Sequence, residues 1–427
     1  MARLLVATVP LTGHVHPMAP LVAELVARGH DVRWTTGQKF APTVARTGAR
    51  FVAMRAARDW DDADLEAAFP ALAGTRGLAR VKRQLIEMFI APMVDQLRDL
   101  EALAPADAVL ADSAHLGAGL FAERHRVPWF GLGISALMVP SVDTAPFGSA
   151  QPPDRAGPAG NRFLNWLIFR VVFARVNRHY RRMRVAAGLP AGDATYFDAM
   201  APDLFLQPTV PAFEYPRRDL PAQVRFIGPL PPPAGASQPL PAWWGDLDAA
   251  ARAGRPIVLV TQGTLATDPR ELIAPALRGL ADHDALVVAT TGRPVELADV
   301  PANARVAAYV PYGQLLPRVS VMVTNGGYGG VQQALAHGVP LVVAGGSEEK
   351  PEIAARVAWS GAGVDLRTGR PRPAKLRAAV ARVLGEPGFR ERARALADAI
   401  AGHDAPRLGA DLIEAALARR EEYARAS

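Results

Sequence analysis

"VSVMVTNGGYGGVQQALAHGVP" (residues 319–340) runs from an apolar stretch through a cluster of glycines into a helical pattern. The opening residues read as a buried strand, and the segment after Gly330 has helical apolar spacing. A helix N-terminus offers free amides and the positive end of a dipole. Glycine lets ligand oxygens come close to those amides. Strand, glycine turn and helix together therefore read as a seat for a phosphate-containing ligand. A ligand-free turn is the alternative, but four glycines without packing side chains are costly for a turn alone.

Strand and helix signals alternate on both sides of this turn. "PIVLVTQGT" (256–264), a helical stretch near 270–280, "DALVVATTG" (284–292), "ARVAAYVP" (304–311) and "PLVVAGG" (340–346) surround it. The first half repeats the pattern with "RLLVATV" (3–9), "DVRWTT" (31–36), "AVLADS" (108–113) and "PWFGLG" (128–133) as strands. There "HPMAPLVAELVARG" (16–29) reads as a helix closing at Gly29. Such alternation implies α/β architecture with parallel, doubly wound sheets. Between the halves, "GPLPPPAGASQPLPAWW" (228–244) loses all periodicity and reads as a semi-rigid linker. Two Rossmann-like lobes are expected, 1–227 and 243–405, joined by 228–242. A final helix, 406–427, is expected to pack back on the first lobe.

The bulk properties agree. A chain of 427 residues exceeds what one core usually fills. It is 50% hydrophobic and 21% charged, which is a globular composition. With no cysteine, disulfides and thiolate metal sites are excluded. "MARLLVATVP" is interrupted too soon for a signal peptide, and no apolar run approaches the ~20 residues of a spanning helix. A soluble, cytoplasmic protein is the expectation. The net charge of +7 is modest, but "RVVFARVNRHYRRMR" (170–184) concentrates it. A solvated helix face is the preferred reading of that stretch, ahead of a membrane surface or an acidic partner. Aromatics do not alternate there as a base-stacking platform, so nucleic acid is not expected.

In open α/β sheets, ligands bind at the carboxyl ends of the strands, so the loops after each strand carry the chemistry. A dinucleotide fold would place G-x-G-x-x-G after the first strand and an acid after the second. Here those positions hold "PLTGHVHP" and "WTTGQ", which removes the best support for an oxidoreductase. The phosphate seat belongs to the second half.

At this point the chain resembles the GT-B glycosyltransferases of family 1, of the bacterial natural-product type. "GHVHPMAPLVAELVARGHDVRWTT" resembles the family's N-terminal G-H-hydrophobic-x-P motif, and residues 304–357 resemble its nucleotide-sugar signature. The resemblance implies two lobes facing across a cleft and an inverting transfer of a hexose, expected to be glucose, from a UDP-sugar. The acceptor would be a hydroxyl of a hydrophobic small molecule such as a polyketide, macrolide, phenolic or xenobiotic. Such a transfer needs a base, and histidine suits it. The resemblance assigns that role to His14, after the first strand, with Asp112 orienting its ring and stabilising the imidazolium. His16 and His115 are neighbours without an assigned role.

The donor side carries over residue by residue. Tyr309 falls at the base-stacking aromatic, and the backbone of Val310 at the edge contacts. Gln333 falls where the family has a glutamate on the ribose. Gly13, Gly263 and Thr264, with Gly326, Gly327, Gly329 and Gly330, fall in the phosphate-contact loops. Asn325 replaces the family's histidine on the diphosphate and brings no positive charge; Lys350 is a candidate to supply it. Glu349–Lys350 replaces the D-Q pair that reads the sugar hydroxyls. Glu349 retains bidentate acceptance, whereas lysine only donates. No cofactor and no metal are expected, since no D-x-D stands in a strand-end loop. The acids of "DWDDADLE" (59–66) read instead as first-turn helix residues.

Two other readings remain. The T-G-H opening is similar to the T-G-G-H of the peptidoglycan N-acetylglucosaminyltransferase, which implies a lipid-linked acceptor at a membrane. Asn325 and Lys350 also fit a nucleotide-sugar-binding protein without turnover. "NRFLNWLIFRVVF" (161–173) has three readings: a wall of the acceptor pocket, a core helix, or an interfacial amphipathic element.

Overall fold

The computed structural model describes residues 1–153, 156–233, 239–263 and 268–426. The linker positions 234–238 and Thr264 lie outside the described residues. The first half forms a seven-stranded sheet: β1 (Arg3–Ala7), β2 (Asp31–Thr36), β3 (Arg50–Ala53), β4 (Ala108–Asp112), β5 (Trp129–Leu132), β6 (Leu204–Gln207) and β7 (Val224–Phe226). Its order is β3-β2-β1-β4-β5-β6-β7. The second half forms a six-stranded sheet from β8 (Ile257–Thr261), β9 (Leu286–Thr290), β10 (Ala304–Ala307), β11 (Val321–Thr324), β12 (Leu341–Val343) and β13 (Gly363–Asp365), in the order β10-β9-β8-β11-β12-β13. Every pairing is parallel.

Strands this apolar are covered on both faces. Leu4 and Val6 enter one core layer while Leu5 and Ala7 enter the other. In the second sheet Ile257 and Leu259 take one side, and Val258 and Val260 the opposite one. Each sheet starts in its middle and winds outward in both directions. The switch points therefore lie between β1 and β4 and between β8 and β11, where Ala7 faces Ala111 and Thr324 faces Thr261. A crevice opens beyond the strand ends at such points. His14 and Asp112 follow one switch point; Gly263 and the glycine turn follow the other.

Several local expectations need correction. Helix α1 spans Thr12–Ala27, not 16–29, so His14 stands in its first turn. No side chain caps it locally; instead Asp62, fifty residues away, accepts from the Thr12 amide at 2.7 Å. Only Asp64 and Glu66 of the acidic stretch begin a helix, with Asp64 accepting from the Glu66 and Ala67 amides. Asp59 accepts from the Gln38 amide, and Asp61 and Asp62 pair with Lys39. β10 ends at Ala307, which leaves Tyr309 and Val310 beyond the strand.

The C-terminal helix (Ala405–Ala426) crosses back to the first lobe. Ala405, Ala410 and Ile413 are buried in that lobe's core. Gly409 permits the approach to α1, because a Cβ there would sit 2.9 Å from Leu21 Cδ1. Arg28 donates to Asp411 and Glu414 at 2.6 and 2.8 Å.

A second junction lies beside the cleft. Ala136, Val210 and Phe213 of the first half are buried in the core of the second lobe. Gln207 donates to the Tyr328 hydroxyl at 2.9 Å, and Thr209 to Gln332 Oε1 at 3.0 Å. Arg356, 1% exposed, donates to Glu214 and Glu352 at 2.9 Å each and lies over the Tyr215 ring. Glu352 also accepts from the Gly148 and Ala150 amides at 2.8 and 2.6 Å.

Two stability outcomes follow from these junctions. Ile413→Ala should destabilise the first lobe by about 2–5 kcal/mol, read from its calorimetric transition, with the second lobe's transition little moved. Arg356→Met leaves two buried carboxylates without their shared counter-charge. It should cost about 3–5 kcal/mol by urea unfolding; a change under about 1 kcal/mol would contradict the bridge.

Candidate active site

The first-lobe half of the site is built around Asp112. Its Oδ1 accepts from His14 Nδ1 at 2.9 Å and from the Ala114 amide at 2.7 Å, and its Oδ2 from the Val9 amide at 2.8 Å. Burial alone would raise this carboxyl, but the His14 ring, His115 and the Ala114 amide offset it and hold it below its ordinary range. An ionised carboxylate only accepts, so Nδ1 of His14 is the donor in this pair. Gly13 is exposed, with open space where a Cβ would stand.

His16 and His115 are placed differently. His16 sets its ring edge-on to Phe40, and His115 is buried with Nδ1 unpartnered. Burial lowers the pKa of both. Neither is hydrogen-bonded to Asp112 through its side chain. A residue that sequence reasoning missed stands instead beside the base: Phe89, on a π-helical turn (Leu85–Ile90), lies nearly parallel to His14 at 6.4 Å. Val9, Leu11, Phe69, Leu72 and Met88 join Phe89 in one apolar cluster. Nothing in the sequence ties residues 85–90 to position 14; only the fold brings Phe89 there.

The second-lobe half is a helix start. Helix Tyr328–Ala336 begins after Gly327 with neither a side-chain cap nor an acid in its first turn. Its leading amides therefore keep their free donors and dipole. Gly326 takes φ +90°, and a Cβ there would stand 2.9 Å from Val343 Cγ1, so only glycine fits. Asn325 is turned inward: its Nδ2 donates to the Gln262 carbonyl and its Oδ1 accepts from the Gly327 amide. It lies against Gly263 and shapes the turn. Gly329 and Gly330 occupy the first turn of the helix, and Gln333, half-buried, has no hydrogen-bond partner among the described residues. Gln332, its neighbour, is spent on the lobe junction.

Around this turn, Tyr309 is exposed and Val310 buried. A cavity of about 510 Å³ opens beside them at the ends of β9 and β10, lined by Thr291, Leu297, Val306 and Ala308. Between β12 and helix Lys350–Trp359, Glu348 holds a left-handed backbone at φ 58°. Lys350 is buried and ion-paired with Glu348. Burial, then the charge of Glu348, raises the Glu349 carboxyl above its usual range. Lys350 and His14 act on it in the opposite sense. Glu349 thus lies within electrostatic reach of His14 on the other lobe. Among the described residues, no group of acids and histidines is arranged to hold a metal ion.

Comparison with known proteins agrees with this geometry. Residues 274–415 match the family model of the erythromycin biosynthesis protein CIII-like C-terminal domain. The chain is 49% identical to 4'-demethylrebeccamycin synthase of Lentzea aerocolonigenes, over 97% of this chain and 99% of that protein. It is 32% identical to UDP-glucosyltransferase A1 of Starmerella bombicola, over 95% and 90% of the two chains. The crystal structure of the glycotransferase of kitacinnamycin superposes with a TM-score of 0.75 at 25% identity, over 97% of this chain and 99% of that one. Two parallel sheets with a site at both switch points, and likeness over nearly the whole length, place this chain among the GT-B glycosyltransferases of family 1.

Proposed function

We propose that this glycosyltransferase moves a hexose, glucose in the first instance, from a UDP-sugar to a hydroxyl of a hydrophobic small molecule with inversion at the anomeric carbon. One observation carries the reading: a histidine anchored through Nδ1 to a buried carboxylate at the switch point of one sheet, with an uncapped helix start at the switch point of the other. The acceptor hydroxyl gives its proton to His14 Nε2 as its oxygen attacks the anomeric carbon. The bond from that carbon to the diphosphate breaks on the opposite side. Asp112 stabilises the imidazolium that results. The departing diphosphate gathers its charge on the amides at the helix start, Tyr328–Gly330.

The remaining roles follow from position. Tyr309 and the cavity next to it would take the base, and Gln333 the ribose hydroxyls. Glu349 would accept from two sugar hydroxyls. Lys350 would add the positive charge that Asn325 lacks, in competition with Glu348. The apolar cluster containing Phe89 would hold the acceptor against the base. A relative named as a UDP-glucosyltransferase supports the choice of donor, and one named for 4'-demethylrebeccamycin supports a natural-product acceptor.

The test is transfer itself, read as a hexose mass gain on a panel of aromatic and polyketide acceptors with UDP- and dTDP-sugars. His14→Ala should lower kcat by about 10²–10⁴-fold with little change in nucleotide affinity. Survival of near-normal turnover would reject the base. Gly326→Ala should do the reverse of His14→Ala, abolishing UDP binding by calorimetry while leaving the first lobe's thermal transition in place.

The pH dependence has a definite sign. A carboxyl depressed in the fold stabilises above its unfolded pKa of about 3.9, and that stability is lost as pH falls through the folded value. Asp112→Asn should therefore flatten the loss of Tm below about pH 4. It should also reduce kcat at neutral pH.

A further inference from the structure

The acceptor lobe carries a helical arm whose burial runs against side-chain polarity. It comprises helix Gly157–Trp166, a π-helical turn Leu167–Val172 and helix Ala174–Ala186. Its inner face is formed by Asn161, Asn165, Phe169 and Phe173, one helical turn apart and all buried. The two asparagines are 1% and 8% exposed and tether the arm to carbonyls of the loop before it. Asn165 Nδ2 donates to Ser141 and Thr144, and Asn161 Nδ2 to Val142 and Pro153. The outer face holds Phe163 at 58% and Trp166 at 55% exposure, their rings 6.0 Å apart, with Val171 also exposed. Two amides are thus taken out of water while two aromatic rings remain in it. Isolated exposed apolar residues are ordinary, but an aromatic pair on one fixed face asks for a cover.

Charge says what the cover is. Residues 157–186 contain seven arginines and no acid. Arg162, Arg175, Arg178 and Arg182 are exposed and have no ion-pair partner among the described residues. Paired aromatics beside a row of unneutralised guanidinium groups match a bilayer surface. The rings enter the interfacial zone, and the arginines meet phosphate headgroups. The sequence alone favoured a solvated face for residues 170–184 and left 161–173 with three readings; the inverted burial of Asn161 and Asn165 against Phe163 and Trp166 favours the interfacial one. We propose that this arm is a docking surface for anionic lipid, holding the acceptor lobe at a membrane without spanning it.

The test is cosedimentation of the full chain with vesicles of phosphatidylcholine, with and without phosphatidylglycerol. Binding is expected only with phosphatidylglycerol and should weaken with added salt. Phe163→Ser combined with Trp166→Ser should lower it about tenfold or more. Arg175→Gln, Arg178→Gln and Arg182→Gln together should remove the preference for the anionic lipid. Unchanged far-ultraviolet dichroism and Tm establish that each variant is folded. Absence of binding to phosphatidylglycerol vesicles, or equal binding by the folded aromatic variant, overturns the proposal. So does a dimer in light scattering that the aromatic variant abolishes while wild type ignores vesicles, since a second copy would then be the cover. The outcome does not depend on the reaction assigned to the cleft.

Discussion

The Asp112 carboxylate ties three separate pieces of chain together with its two oxygens: the end of the first strand at Val9, its own loop at Ala114, and the ring of His14. A charge buried this deeply is tolerable only when its acceptor positions are filled by donors of fixed geometry. The arrangement of that half of the cleft follows from this requirement. α1 must begin early enough to present His14 in its first turn, and Asp62 makes the early start possible from outside the helix. His14 is thereby fixed by two acids with different duties, one holding the ring and one holding the helix that carries it.

The facing half uses the opposite strategy. It leaves donors unfilled, at a helix start with no cap and a backbone bend that admits only glycine. Polar groups are thus satisfied on one side and left open on the other. What keeps the two halves in register is a junction of buried charge. Arg356 joins Glu214 of one lobe to Glu352 of the other, on the same helix whose first residue is Lys350. The turn that leads into this helix and the loop at 148–150 therefore share one support.

Much of this was legible in the sequence because parallel sheets announce themselves. Runs such as "RLLVATV" and "AVLAD" are apolar on both faces, so the strand-end loops that hold His14, Asp112 and the glycine turn could be located without coordinates, while the roles expected of those residues came from the family resemblance. Four strands toward the sheet edges were not found: β3, β6, β7 and β13, of three or four residues each. The onset of α1 was misplaced because its cap is tertiary and Leu11 gives no local signal. Phe89, Gln207, Glu214 and Arg356 were missed for a related reason. Their partners lie 75 to 142 positions away or on another lobe, and no local pattern encodes such a meeting. Asn325 was read as a ligand donor, yet its amide first serves the turn.

The C-terminal helix closes the core of the lobe that is synthesised first. During translation, the surface formed by α1 and β6 that will receive Ile413 must wait, bare, while the whole second lobe emerges from the ribosome. Chains fold vectorially and in units, so the nascent first lobe is an incomplete unit for most of the time it exists. Its last apolar groove is filled only after the second lobe has been made. A nonsense codon anywhere in the second half would yield a polypeptide with an open hydrophobic seam, suited to capture by chaperones and to degradation rather than to accumulation as a free acceptor lobe.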